Sequence, residues 1–138
     1  SMLGRVFRGR EHFGDTDPLP MISILEPPLS IERVPNQPDN TTFSGEWDIM
    51  IQGWVVDDVE NPCDPAYVLA GKAIQVLAKH RRDARVRANT NYLGAGLRVE
   101  ELRIGAPVVR PADYPSPNAC FYLLVTLKIV EDMADPFS

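Results

Sequence analysis

Across Glu46 to Asp83 (EWDIMIQGWVVDDVENPCDPAYVLAGKAIQVLAKHRRD) the apolar residues change from a period of two to a helical period over one acidic turn. That switch predicts a strand followed directly by a helix. Trp47, Ile49, Ile51 and Val55 alternate with Asp48, Met50, Gln52 and Trp54, the pattern of a strand with one buried face and one partly wet face. Asp64 is placed to cap the helix, with Pro65 at its first position, where a missing N–H is harmless and a fixed φ helps. Leu69, Ala70, Ala73, Ile74 and Leu77 then recur at three- and four-residue steps and form a single core-facing stripe.

The flanking segments add strands rather than βαβ units. Arg5 to Arg8 is a short apolar segment, and Met21 to Glu26 (MISILE) is a strand bounded by Pro20 on one side and by Pro27 and Pro28 on the other. Ser30 to Gly45, with its Pro and Asn residues, reads as a long exposed loop or a mobile hairpin. Ala84 to Gly96 is broken by Gly94 and Gly96 and has room for a short helical turn. Val99 to Val109 predicts a strand with an irregularity at Gly105 to Pro107, because proline cannot donate to a ladder. From Cys120 to Val130, Phe121, Leu123, Val125, Leu127 and Ile129 share one face, and the turn Ala112 to Asn118 (ADYPSPN) favours antiparallel pairing with the preceding strand. The sum is one α+β domain over residues 1–138: a mostly antiparallel four- to five-stranded sheet with one main helix packed on one face.

Composition narrows the class of partner. A 138-residue chain with 44% hydrophobic residues supports one core, and a net charge of -5 disfavours general attraction to nucleic acid or to an anionic membrane. The net value hides a split. Val34 to Gly71 contains no Lys or Arg but holds Asp39, Glu46, Asp48, Asp57, Asp58, Glu60 and Asp64. Lys72 to Arg110 reverses the balance, with Lys72, Lys79, Arg81, Arg82, Arg85, Arg87, Arg98, Arg103 and Arg110 against Asp83, Glu100 and Glu101. Two copies of such a chain can meet with opposite surfaces facing, although two solvated faces explain the same pattern. Cys63 and Cys120 fit neither a zinc spacing nor a redox pair, which favours a reducing compartment. The longest apolar run, Ala119 to Leu127, is too short to cross a bilayer, no secretion signal is expected, and Ser1 before Met2 reads as the remnant of a cleaved tag.

Reactive groups are few. His80 is expected in the helix's last turn, where cations favour the helix dipole, and His12 lies in a loop. Asp57, Asp58, Glu60, Asn61 and Asp64 lack the glycine and the alternate spacing of a calcium loop, and Cys63 reads as a structural thiol. Gly94-Ala95-Gly96 has no following Lys-Ser or Lys-Thr for a phosphate loop, and the basic run Lys79 to Arg87 has no interleaved aromatic residues. The expectation is therefore no catalytic residue, no cofactor and no bound metal. Trp54, on the less apolar face of its strand, is either buried under the helix or an anchor in a subunit contact. Trp54, Asp57, Asp58, Lys79, Arg81, Arg82 and Arg85 are the candidate residues for a subunit or tube interface. Two readings of another class compete: a small cytoplasmic enzyme whose pocket unites Asp57, Asp58 and His12, and an RNA-binding module built on Lys79 to Arg87.

Three passages resemble the tail terminator, or tail completion, proteins of long-tailed bacteriophages and prophages, the group that includes the minor tail protein U of phage lambda. They are Arg5 to Glu26, Trp47 to Ala78 and Leu102 to Asp132. The resemblance implies a structural role in the virion tail, after assembly in the host cytoplasm. Such proteins form a ring, commonly hexameric, on the head-proximal end of the tail tube; the ring stops tube polymerisation and offers a surface to the head-completion protein. The implied partners are copies of the chain itself, the tail tube protein and the head-completion protein, with DNA only as cargo passing through the ring. A head-tail connector of the virion neck is the nearest alternative. The family usually has an amphipathic helix before the strand matching Arg5 to Arg8, and with little ahead of that strand here some apolar sheet surface is expected to be uncovered.

Overall fold

The computed structural model describes residues 5–10, 17–26, 42–86, 99–113 and 115–132, with the backbone alone described at 42–44, 82–86, 99–100 and 129–132. The described elements are β1 (Val6–Arg8), β2 (Met21–Leu25), β3 (Thr42–Val56), α1 (Asp64–Val86), β4 (Val99–Ile104), β5 (Val108–Arg110) and β6 (Asn118–Asp132). They make an α+β fold, one helix on one mixed sheet. The strands run in the order β1-β2-β3-β6-β4, with β5 also paired to β6. Among the described residues the sheet thus has six strands where four to five were expected; β1 joins β2 in parallel and every other described pairing is antiparallel.

The centre is the ladder between β3 and β6, each 15 residues long, which runs from Thr42↔Asp132 to Val56↔Asn118. Directly paired residues share a face. Trp47, Ile49, Ile51 and Val55 therefore lie on the same side as Leu127, Val125, Leu123 and Ala119, and this is the side that α1 covers. Leu69 and Ala70 of the helix are buried against it, and Ala73, Ile74 and Leu77 pack beside them, as their spacing predicts. Each large side chain buried here, such as Phe121 or Leu123, contributes on the order of 1.5–3 kcal/mol. The interruption expected at Gly105 to Pro107 separates β4 from β5. There the Gly105 N–H donates to the Leu124 carbonyl at 2.8 Å, and a Cβ on Gly105 would come within 2.9 Å of that oxygen.

The sheet's other face is not left bare at its β2 edge. Met21, Ser23 and Leu25 are buried although they point away from α1. Among the described residues, Arg10 after β1 and Leu19 before β2 are tied to the sheet. The Ser23 hydroxyl donates to the Arg10 carbonyl at 2.7 Å, and the Arg5 guanidinium donates to the Leu19 carbonyl at 3.0 Å. Arg10 holds Asp17 through two bonds of 2.7 and 2.8 Å and stacks over the Phe7 ring at 4.8 Å.

Three expectations change. Thr42 to Gly45 belong to β3 and pair with Ile129 to Asp132, because a continuing partner strand supplies the ladder even to residues of low strand preference; residues 30–41 of that expected loop lie outside the described residues. The helix continues to Val86, so His80 is not in its last turn. Residues 87–96, including the expected glycine break, lie outside the described residues. No described helix is long and apolar enough to cross a membrane.

Candidate functional site

The acidic turn from Asp57 to Cys63 is built by its own carboxylates. Asp57 Oδ1 accepts from the backbone N–H groups of Asp58 (2.9 Å) and Cys63 (3.0 Å), and Oδ2 accepts from the N–H of Ala112 at 2.8 Å. One side chain thus ties both ends of the turn to the segment leading into β6. These bonds, the one from Ala112 foremost, hold the Asp57 carboxyl below the ordinary carboxylate range against the opposing pull of desolvation. Asp58 Oδ1 accepts from the N–H groups of Glu60 (2.9 Å) and Asn61 (3.2 Å), which lower its carboxyl in the same way.

The helix entry differs from the expected cap. The first helical bond runs from Tyr67 N–H to the Cys63 carbonyl at 2.9 Å, so Cys63 occupies the cap position and Asp64 is already helical. Cys63 has φ 72°, a left-handed conformation unusual for a side-chain-bearing residue. Asp64 instead contributes a negative charge in the helix's first turn, next to the positive end of the helix dipole. The turn then presents Val59 at its tip, 95% exposed, between the exposed side chains of Asp58 and Glu60.

A second pole lies at the far end of α1. The helix packs on β3, β6, β4 and β5. β5 pairs with β6 at Cys120 to Tyr122 and β4 pairs with it at Val125 to Ile129, so α1 runs from the Val56 end of β3 back towards the Trp47 end. Lys79 and Arg81, both exposed, stand about 22–26 Å from Asp64 along the helix axis. Arg82 and Arg85 continue the same helix, with side chains outside the described residues. Asp57 to Asp64 thus stand at the start of α1 and Lys79 and Arg81 towards its other end. Glu46 and Asp48 lie at the Trp47 end of β3 and Arg110 pairs with Cys120 towards the Val56 end, so the charge split of the sequence follows the helix and not the whole subunit.

Trp54 belongs to neither pole. It pairs with Met21 and Cys120 on the face opposite α1, which rules out burial under the helix, and it is half-buried there. Leu124 and Val108 share that face at 48% and 49% exposure, beside Met50 and Tyr122, and burial pushes the Tyr122 hydroxyl up. Farther along, the Thr126 hydroxyl donates to Asp48 at 2.7 Å and Arg103 is ion-paired with Glu46.

One feature escaped the sequence reading. At the Trp47 end a groove of about 390 Å³ is lined by Ile24, Trp47 and Ile49, with Arg8 and Glu26 at its rim. It exists because α1 covers the β3–β6 side of the sheet while Val6 and Ile24, on the same face, stay exposed. The only signal was that both parities of MISIL are apolar, which leaves one set of side chains without an assigned cover.

Among the described residues, no group of three or more His, Cys, Asp or Glu is placed to hold a metal ion. His12, which the enzyme reading needs beside Asp57 and Asp58, lies outside the described residues. No protein-family model matches the chain, and a search of curated proteins finds no match.

Proposed function

We propose that this protein is a structural subunit of a phage tail that caps the head-proximal end of the tail tube as a ring, stops tube polymerisation and provides the surface to which the head joins. Its working parts are surfaces and not a pocket with reactive groups. The partners are further copies of the chain, hexameric in the virion, together with the tail tube protein and the head-completion protein. DNA passes through the bore as cargo.

The observation that carries the reading is the placement of the charge blocks, Asp57 to Asp64 at the start of α1 and Lys79 to Arg85 near its end. A ring needs a heterologous contact, in which one patch meets a different patch on the next copy, and opposite poles on one subunit favour that arrangement. The resemblance supports it from another side. Its passages fall on β1–β2, on β3–α1 and on β4–β5–β6, the units from which the sheet and its helix are built.

Electron microscopy of particles from a phage lacking the gene tests the reading. Tails of abnormal, overgrown length are expected. Tails of normal length that fail to join heads would assign the protein to the neck instead.

A further inference from the structure

Gly71 is exposed in the interior of α1, and a Cβ there would meet nothing within 4 Å beyond its own turns of the helix. The subunit therefore gives no packing reason for a glycine, although glycine inside a helix is less stable than alanine. Tyr67 and Val68, each 57% exposed, lie one turn before it. Valine loses side-chain freedom in a helix, and at this position burial does not offset that loss. A position without a side chain, next to an aromatic and an aliphatic one, suits close approach of a second helix, because the side chains at a crossing set the distance between axes.

The charges of α1 indicate which helix that is. Asp64 precedes Gly71 by two helical turns, so it lies on the same face, about 10 Å away along the axis. Lys79 follows Gly71 by about 12 Å and lies within a quarter turn of that face. Both side chains are exposed. An acid and a base thus stand at nearly equal distances on opposite sides of the glycine. An identical helix, turned antiparallel about a two-fold axis at Gly71, brings Asp64 of each copy opposite Lys79 of the other and sets the two helix dipoles antiparallel. Tyr67 then lies against Gln75 of the second copy. Lys72 is farther round the helix and keeps its ammonium in water.

We propose that the outer face of α1 is a two-fold contact between two copies of this chain, crossing at Gly71, with Tyr67 and Val68 covered and an Asp64–Lys79 pair at each end. The occupant is a second copy because the charge order about Gly71 complements itself once reversed. Such a contact is isologous and closes at a dimer. The charged ends of α1 serve one contact at a time, so the pair belongs to the free chain and not to a ring. This goes beyond the tail reading and does not depend on it.

Sedimentation equilibrium of the full chain in a concentration series tests the proposal, with Gly71→Gln, Asp64→Lys and Lys79→Glu as variants. The unaltered protein forms a dimer. Gly71→Gln raises the thermal midpoint of the dilute, monomeric chain by about 2–4 °C, because a better helix former replaces glycine where its side chain has room. The same side chain holds two helices apart and weakens dimerisation at least about tenfold. A glycine of purely structural use would not move those two readings in opposite directions. Asp64→Lys and Lys79→Glu each weaken dimerisation alone, and mixing them restores a heterodimer, because opposite charges again face each other at both ends. A chain that stays monomeric, a Gly71→Gln variant that dimerises as well as the parent, or a charge-reversed mixture that fails to pair would each overturn the proposal. None of these outcomes bears on tail length, which separately decides the tail reading.

Discussion

Gly53 and Phe121 face each other across the β3–β6 ladder so closely that a Cβ on Gly53 would clash with the edge of the Phe121 ring, 2.8 Å from both Cδ1 and Cζ and nearer still to Cε1. The phenyl ring fills the space left by the missing side chain, and Phe121 is fully buried as a result. Gly53→Ala is expected to destabilise the fold by about 1–3 kcal/mol or more through overpacking. Combining it with Phe121→Leu, which withdraws the ring, gives a loss smaller than the sum of the two. Urea denaturation of the four proteins measures that coupling, about 0.5–3 kcal/mol if the contact is as described.

At the cap of α1, Cys63 holds a left-handed conformation that costs an L-residue about 1–2 kcal/mol. Glycine adopts it without that strain and keeps the N–H that Asp57 accepts. Cys63→Gly should therefore raise stability by up to about 1 kcal/mol, once glycine's greater freedom in the unfolded chain is set against the relief. Thermal unfolding shows it; an unchanged or lower midpoint would mean that the turn is not strained at this residue.

Asp57 and Asp58 link stability to pH. Both carboxyls are lowered in the folded chain, so the unfolded state binds more protons in the interval between the two values. Their contribution is fully present above the unfolded carboxylate value, about 3.9, and disappears as pH falls through the folded value. Asp57→Asn should flatten the acid limb of the stability curve. Denaturation midpoints between pH 6 and the acid transition, roughly pH 3, read this out for parent and variant. An equally steep acid limb in the variant would move the linkage to other groups.

How much of this was legible depended on whether a residue's partner lay nearby in sequence. The alternation at Trp47 to Val55, the stripe from Leu69 to Leu77 and the break at Gly105 to Pro107 report local periodicity, and each appears in the fold where the pattern puts it. The extension of β3 through Thr42 to Gly45 has no periodic signal of its own and follows from its pairing with the end of β6. Asp57 was named as a candidate interface residue, yet one of its acceptor oxygens serves Ala112, 55 residues away, a partner no local pattern reveals. The bond from Ser23 to Arg10 left no sequence signal, because its acceptor is a backbone carbonyl. Trp54 was placed on the correct strand face, and only the sheet's one-sided cover decides that this face looks away from α1.

Ser23 tests how β2 is tied to the chain that leaves β1. Its buried hydroxyl donates to the Arg10 carbonyl at 2.7 Å. Ser23→Ala leaves the Arg10 carbonyl without that donor and should cost about 1–3 kcal/mol. Amide exchange should also quicken at Gly9, whose N–H donates to the Ile24 carbonyl at 2.8 Å next to Arg10. Loss of stability without faster exchange there would mean that Gly9 and Arg10 are held by other contacts.

The charge poles make a separate prediction. Reversing Lys79 and Arg81 to Glu should weaken assembly and leave the fold intact, since both side chains are exposed. Adding Asp58→Lys and Glu60→Lys to a second chain, and mixing the two, should restore part of it. Light scattering at low and high salt distinguishes this electrostatic steering from apolar contact, because only the former is screened. Assembly unaffected by the reversal would discard charge complementarity.

The central claim is that the chain works by docking to copies of itself on the end of a tubular polymer. Its most direct test is elongation of purified tail tube protein, followed by electron microscopy with and without the added protein. The account predicts that the protein arrests elongation at amounts far below those of the tube subunit, with extra ring-shaped density at one end of each tube. Tubes that grow to the same lengths and carry no end density would contradict it.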